Sequence, residues 1–131
     1  MKELKALIIK TPHIDNILSG KKTWEMRTKN NSYRGPIGLI QKGCPGKIIG
    51  VAEMVDSLGE FSKEELLANQ SKHLMTPERI NDPEASGYKY AWVLKNAKRL
   101  EQPISFEQKS GAVIWVKLDE ETSAAVRKAI N

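Results

Sequence analysis

The sequence predicts a single α+β domain, a small and mostly antiparallel β-barrel with flanking helices. The chain has 131 residues, a length at which one hydrophobic core is usual. No linker, internal repeat or low-complexity tract divides residues 1–131, so we expect one domain over the whole chain. Several short predicted strands follow one another with few full-length helices between them, which argues against a doubly wound parallel sheet.

Charge and cysteine content restrict the expected partners and compartment. The net charge is +5 and the isoelectric point is about 9.3. A basic balance favours anionic partners, of which nucleic acid is the commonest. The alternative is that the positive charge serves only solubility. The single cysteine, Cys44, excludes an internal disulfide and fits a reducing compartment. No apolar run reaches the roughly 18 residues that span a bilayer, and the N-terminus resembles a strand more than a signal peptide. We therefore expect a cytoplasmic protein with no membrane partner.

The first elements of the chain are a predicted strand and helix. Residues 4–9 form an apolar run typical of a buried strand. Thr11 and Pro12 predict the start of a helix, with the threonine as its cap and the proline in its first turn. Gly20 predicts the end of that helix, because glycine favours the left-handed conformation found there.

A second strand is predicted from Thr23 to Arg27, because its side chains alternate. Trp24 and Met26 face one side of this strand, and Thr23, Glu25 and Arg27 face the other. One face is therefore apolar and the other polar.

The remainder of the chain predicts four more strands and three more helices. The strands are placed at 37–40, 48–55, 88–94 and 112–118. A capping box of Ser62 and Glu65 begins the first of the helices, Thr76 begins the second, and 119–130 forms the last. Gly50 predicts a bulge or a close backbone approach inside its strand.

The segment GKKTWEMR, residues 20–27, holds the main candidates for function. The junction of helix and strand is expected to be a tight turn with exposed backbone amides, and Lys21 and Lys22 lie on it. Together with the polar face of the following strand, these lysines predict a compact polar cluster at the mouth of the sheet.

Three uses of this cluster are open. Arg27 can bind a phosphate or carboxylate through its planar guanidinium. Lys22, beside a second cation, can act as a nucleophile or base. Glu25 can orient either cation or accept a hydrogen bond from the amino group of a base. The alternative is that these charges form cross-strand ion pairs and nothing more.

The spacing GxKxxExR at residues 20–27 resembles the signature of ASCH domains, which belong to the PUA-like superfamily. The preceding helix, 14–20, and the segments YAWVL at 90–94 and GAVIWV at 111–116 are also similar to the family. The resemblance implies a β-barrel with flanking helices and a cleft beside the turn, where the related PUA domains bind RNA. It therefore implies RNA, a nucleoside or a nucleotide as partner. We expect no cofactor.

The same resemblance leaves catalysis open. One bacterial branch of the family hydrolyses N4-acetylcytidine with the lysine that corresponds to Lys22, but it has a threonine where this chain has Glu25. It also uses a glutamate where residues 69–73 contain no carboxylate. Another small member is described as a ribonuclease. If the protein is an enzyme, Lys22 and Glu25 are the catalytic candidates.

Other residues are candidates for ligand contact, core packing or metal binding. Tyr33, in a polar loop, is a candidate for ligand contact, so the predicted ligand-binding residues are Lys21, Lys22, Thr23, Glu25, Arg27 and Tyr33. Trp24 either stacks on a base or packs in the core, and the core is favoured, as it is for Trp92 and Trp115. His13, His73 and Cys44 do not have the spacing of metal ligands, so we expect no metal site.

Three functional hypotheses remain from the sequence. The first is a domain that binds RNA or a nucleotide in a cleft, with Lys22 and Arg27 as cationic contacts. The second is a hydrolase of a modified nucleoside or a ribonuclease with Lys22 central. The third is a protein-interaction module in which these charged residues only form part of the solvated surface.

Overall fold

The computed structural model describes residues 3–109 and 111–131. The strands are β1 Lys5–Ile9, β2 Trp24–Arg27, β3 Gly35–Gln41, β4 Lys47–Leu58, β5 Tyr90–Ser105 and β6 Trp115–Lys117. The helices are α1 His13–Leu18, α2 Lys63–Ala68, α3 Gln70–His73, α4 Pro77–Asn81 and α5 Glu120–Ile130, with a short 3-10 helix at Pro83–Ala85. None of the helices in the described residues is long and apolar enough to cross a membrane.

The strands form one curled sheet in the order β2-β5-β4-β3-β1-β6. All neighbouring pairs are antiparallel except β1 and β3, which run parallel. The curl brings the edge strand β2 toward β1, the neighbour of the other edge strand β6, since Arg27 on β2 donates a hydrogen bond to the carbonyl oxygen of Ile8 on β1 at 3.2 Å. The sheet is thus a half-barrel with flanking helices, which confirms the predicted α+β class.

The core lies on both faces of the sheet. Leu7 and Ile9 of β1 pack in a cluster with α1, whereas Ala6 and Ile8 pack in a second cluster that includes Val126 of α5. Alternate side chains of a strand point to opposite faces, so a strand covered on both sides needs a continuous apolar run. A third cluster joins β2 to the short helices after β4.

Gly50 lies where α1 crosses the sheet. A β-carbon at this position would lie 2.2 Å from Cδ2 of Leu18 and 2.9 Å from the carbonyl oxygen of Lys98. The register between β4 and β5 also shifts between Ile48 and Gly50. Both predictions for this glycine, a bulge and a close approach, are confirmed.

The helix starts were predicted with mixed success. The capping box of Ser62 and Glu65 is present, and the side chains of Thr76 and Asp119 cap α4 and α5. The prediction that Thr11 caps α1 is wrong, because the helix begins at His13 and no side chain caps it.

The last two strands differ most from the prediction. β5 extends to Ser105, far past the predicted end at residue 94, because its second half pairs with β4 although its side chains are mostly exposed. β6 is shorter than predicted and forms an edge of the sheet. Trp115 on this edge is therefore only half-buried, which corrects its assignment to the core, whereas Trp24 and Trp92 are buried as predicted.

Candidate functional site

A cavity of about 450 Å³ opens beside the turn between α1 and β2. Strands β1 and β2, helix α1 and the segment around α3 and α4 all contribute to its wall. Its lining contains five cationic side chains and one carboxylate, with two histidines: Lys10, Lys22, Arg27, Lys42, Arg79, Glu25, His13 and His73. The charge of this cavity therefore favours an anionic ligand.

Glu25 is the centre of the polar wall. It is 6% exposed, because the polar face of β2 turns into the curled sheet. Its Oε1 lies 3.1 Å from Nζ of Lys22, and its Oε2 lies 2.8 Å from Nη2 and 3.1 Å from Nε of Arg27. Both carboxylate oxygens are thus occupied by cations that line the cavity.

Lys22 is held by its own backbone as well as by Glu25. Gly20 adopts a φ of 83°, a conformation that only glycine takes at little cost. The chain then turns, and the amide of Lys22 donates to the carbonyl oxygen of Asn16 at 3.0 Å. The side chain enters the cavity wall and is 4% exposed.

Three amides of this turn are not exposed as expected. The amide of Thr23 donates to the carbonyl oxygen of Lys72, and that of Gly20 donates to Ile17. Because the amide of Lys22 is also bonded, the turn offers side chains to a ligand and not these backbone groups.

Arg27 has three kinds of contact. Its Nε and Nη2 bind one oxygen of Glu25, its Nη2 also donates to the carbonyl of Ile8, and its guanidinium carbon lies 5.3 Å from the centre of the Trp92 ring. This distance is within the range of a cation–π interaction. The side chain is therefore fixed before any ligand arrives.

His13 adds a contact to Lys22. Its Nδ1 lies 3.2 Å from Nζ of Lys22. Burial, followed by the positive charge of Lys22, lowers the pKa of His13, although Glu25 opposes this shift. The imidazole is thus favoured in its neutral form, in which Nδ1 accepts a hydrogen bond from the lysine.

His73 fixes another part of the wall. Its Nδ1 accepts from the amide of Met75 at 2.9 Å, and its Nε2 lies 2.6 Å from the carbonyl oxygen of Leu66. These two partners require the neutral tautomer protonated on Nε2. The ring thereby anchors the segment of Leu74 and Met75 that lines the cavity.

Acid is expected to weaken the fold through His73. Burial lowers the pKa of His73 below its usual value of 6.5, an effect partly offset by its bond to Leu66 and increased by Lys22. The unfolded chain therefore binds more protons as the pH falls below about 6.5, and the free energy of unfolding falls by up to about 1.4 kcal/mol per pH unit for one such group. Urea denaturation at about pH 7.5 and about pH 5.5 measures this loss.

The matched variant is His73→Gln, which cannot titrate. We expect its stability to change less between the two pH values than that of the wild type, although His13 and the carboxylates continue to contribute. An equal loss in both proteins would show that His73 does not cause the acid sensitivity.

The structure brings together three of the predicted ligand-binding residues and separates the others. Lys22, Glu25 and Arg27 line one cavity, as described above. Lys21 and Thr23 are exposed and do not line it. Tyr33 lines a second cavity, and its hydroxyl donates to the carbonyl oxygen of Pro36.

Sequence reasoning missed several residues of the cavity. His13 and His73 were considered only as metal ligands, and Lys10 and Arg79 were not considered at all. These residues come from separate segments, so no spacing along the chain identifies them.

Trp24 stacks on Phe61 with ring centres 5.2 Å apart and lies under Nζ of Lys72 at 4.9 Å, which explains its place in the core. Within residues 3–109 and 111–131, no group of three or more potential metal ligands is found.

Comparison with known proteins gives the family and the fold. The family model of the ASCH domain matches residues 7–104. A crystal structure of ASCH from Zymomonas mobilis superposes with a TM-score of 0.68 at 16% identity, covering 95% of this chain and 93% of that one. A tyrosine-to-phenylalanine variant of that protein superposes with a TM-score of 0.70 at 16% identity, covering 97% of this chain and 98% of that one. A serine-to-alanine variant superposes with a TM-score of 0.67 at 16% identity, covering 95% of this chain and 94% of that one. No curated protein matches the chain significantly.

Proposed function

This chain belongs to the ASCH domain family, and on that premise we propose that it binds RNA or a nucleotide in the cavity beside residues 20–27. The observation that carries the proposal is the charge of the lining, five cations against one carboxylate. A cavity of about 450 Å³ is within the roughly 300–1,000 Å³ common for ligand sites. Such a site suits a phosphate together with a base or sugar.

Lys22 and Arg27 have donors to spare for this ligand. An ammonium group has three N–H donors, and Glu25 and His13 engage two of those of Lys22. Within the described part of the chain, the third has no partner, and neither has Nη1 of Arg27. Both cations can thus donate to a ligand while they keep their ion pairs with Glu25.

Glu25 is proposed to hold these cations in place. A buried ion pair contributes little to stability compared with apolar packing of similar volume, because its charges lose their hydration. Its presence in a cavity wall is better explained by ligand recognition, since donors fixed in advance lose little entropy when the ligand binds.

The exposed cations of the lining give a direct test. Lys10 and Lys42 are exposed, so replacing both by alanine is expected to leave the fold intact. Short single-stranded RNA should bind more weakly to this variant. The slope of log affinity against log salt should also fall by roughly 0.7 for each phosphate that the variant no longer neutralises. Fluorescence anisotropy over a salt series measures both quantities.

The matched control replaces Lys95 and Lys98, two exposed lysines of β5 outside the cavity lining. This control has the same net charge as the test variant, so any effect of charge alone appears in both. Equal loss of RNA affinity in the two variants, or no RNA binding by the wild type, would contradict the proposed site.

A hydrolase or ribonuclease is the second candidate function. The observation in its favour is the contact between His13 and Lys22 at 3.2 Å, which places a neutral imidazole beside a cation at the cavity wall. Such a pair can move a proton and stabilise negative charge at a phosphodiester or an amide. Incubating the protein with acylated nucleosides and short RNA tests this, and a product formed by the wild type but not by His13→Gln or Lys22→Met would establish it.

A further inference from the structure

A second cavity combines aromatic rings with positive charge. Its volume is about 580 Å³, and its lining includes three aromatic and three cationic side chains: Tyr33, Trp92, Trp115, Lys5, Lys29 and Arg34. We infer that this cavity is an aromatic subsite for the nucleotide adjacent to the one held in the first cavity. This inference rests on the proposed function and extends it from a nucleotide to a single strand of RNA.

The aromatic side chains form one connected group. The rings of Trp92 and Trp115 lie 5.6 Å apart and nearly parallel, at 18°, and those of Tyr33 and Trp115 lie 5.4 Å apart at 33°. The indole N–H of Trp92 donates to the carbonyl of Lys29, and the hydroxyl of Tyr33 donates to Pro36. Two rings are thus fixed by hydrogen bonds. Trp115, on the edge strand β6, contacts both of these rings and is half-buried, so part of its surface is left for a ligand.

The charges of the second cavity distinguish its occupant from an apolar peptide. The ammonium of Lys5 lies 5.8 Å from the centre of the Trp115 ring. Lys29 and Arg34 are exposed at the same cavity, and Glu3 is the one carboxylate in its described lining. Aromatic rings beside cations are the combination that binds single-stranded nucleic acid, because bases pack on the rings while phosphates contact the cations.

The two cavities are close enough for neighbouring nucleotides of one strand. Arg27 lines the first cavity and Trp92 lines the second, and the guanidinium lies 5.3 Å from the Trp92 ring. Val113 lines the first and Ile114 the second, although they are consecutive in the chain. A single layer of side chains therefore separates the cavities, and a phosphate between two nucleotides would lie near Arg27.

The test compares a mononucleotide with a single-stranded RNA of about four nucleotides, a length within the site sizes of single-strand binders. Trp115→Leu is expected to lower the affinity for the RNA by roughly 5- to 150-fold, the range that corresponds to stacking of one base. Its affinity for the mononucleotide should stay unchanged. Phe106→Leu is the matched control, because Phe106 is a partly buried aromatic residue of the other core cluster.

A second variant changes an exposed side chain and therefore does not disturb the packing of the core. Lys29 is exposed, and its carbonyl remains to accept from Trp92 in Lys29→Ala. This variant should reduce the salt slope for the RNA by roughly 0.7 and leave mononucleotide binding as it is.

The outcomes separate the two proposals. RNA affinity equal to wild type in folded Trp115→Leu and in Lys29→Ala would overturn the second subsite and leave the first cavity standing. A wild type that binds neither the mononucleotide nor the RNA would overturn the proposed function itself. Dimerisation of the wild type that Trp115→Leu abolishes, with RNA affinity intact, would instead assign this surface to a contact between copies of the chain.

Discussion

Replacing Glu25 with alanine is expected to lower the free energy of unfolding by about 3–5 kcal/mol, the usual cost of removing one partner from a buried ion pair. The carboxylate is 6% exposed and contacts two cations, of which Lys22 is 4% exposed. Its loss leaves two cations without a counter-ion, and one of them, Lys22, is almost inaccessible to water. Since small domains are stable by only about 5–15 kcal/mol in total, urea denaturation should show a large shift in midpoint.

The control for this prediction is a second ion pair at similar distance. Asp15 and Arg99 lie 2.8 Å apart, but both side chains are 53% exposed. Exposed pairs contribute about 0–1 kcal/mol, so Asp15→Ala should have little effect. If the two alanine variants lost the same stability, burial would not be the cause of the loss at Glu25.

A triple variant separates stability from function at the same site. Replacing Lys22 and Arg27 by methionine and Glu25 by leucine removes all three charges together. An apolar replacement of a whole buried ion cluster is often neutral or stabilising. We therefore expect the triple variant to regain much of the stability lost in Glu25→Ala. Its RNA binding should be lost, because the donors of Lys22 and Arg27 are gone.

The alternation of residues 23–27 allowed the arrangement of the candidate site to be predicted in part. It placed Glu25 and Arg27 on one face of a strand, and the helix end at Gly20 placed Lys22 beside them, as the structure shows. It did not predict that this polar face is buried. Burial follows from the curl of the sheet, in which β2 and β1 approach each other although several strands lie between them in sheet order.

The rest of the cavity depends on contacts that local pattern does not contain. His73 follows the capping box helix in a polar segment, and its role comes from hydrogen bonds to Leu66 and Met75. Similarly, the second half of β5 lacks an apolar alternation and is a strand because β4 pairs with it. By contrast, caps, glycine turns and buried runs depend on neighbouring residues, and most of these were predicted correctly.

Replacing Trp92 with alanine should have an effect of similar size, because this residue joins the core to both cavities. The side chain is 2% exposed, packs against Trp115 and Arg27, and donates from its indole nitrogen to the carbonyl of Lys29 at 2.9 Å. Truncating a buried tryptophan typically costs about 3–5 kcal/mol. Chemical denaturation measures this loss, and binding of a mononucleotide should also weaken because Arg27 loses the ring that supports it.

Two further variants show which contact matters. Trp92→Phe keeps an aromatic ring beside Arg27 but removes the indole donor, so it leaves the carbonyl of Lys29 unpaired and should cost less than the alanine variant, about 1–3 kcal/mol. Val113→Ala changes an apolar side chain that is 79% exposed and should change stability by less than about 0.5 kcal/mol. A Trp92→Ala protein with the stability of Val113→Ala would mean that the half-barrel does not depend on this ring. A stable phenylalanine variant with normal mononucleotide affinity would assign the support of Arg27 to aromatic packing, independent of the hydrogen bond to Lys29.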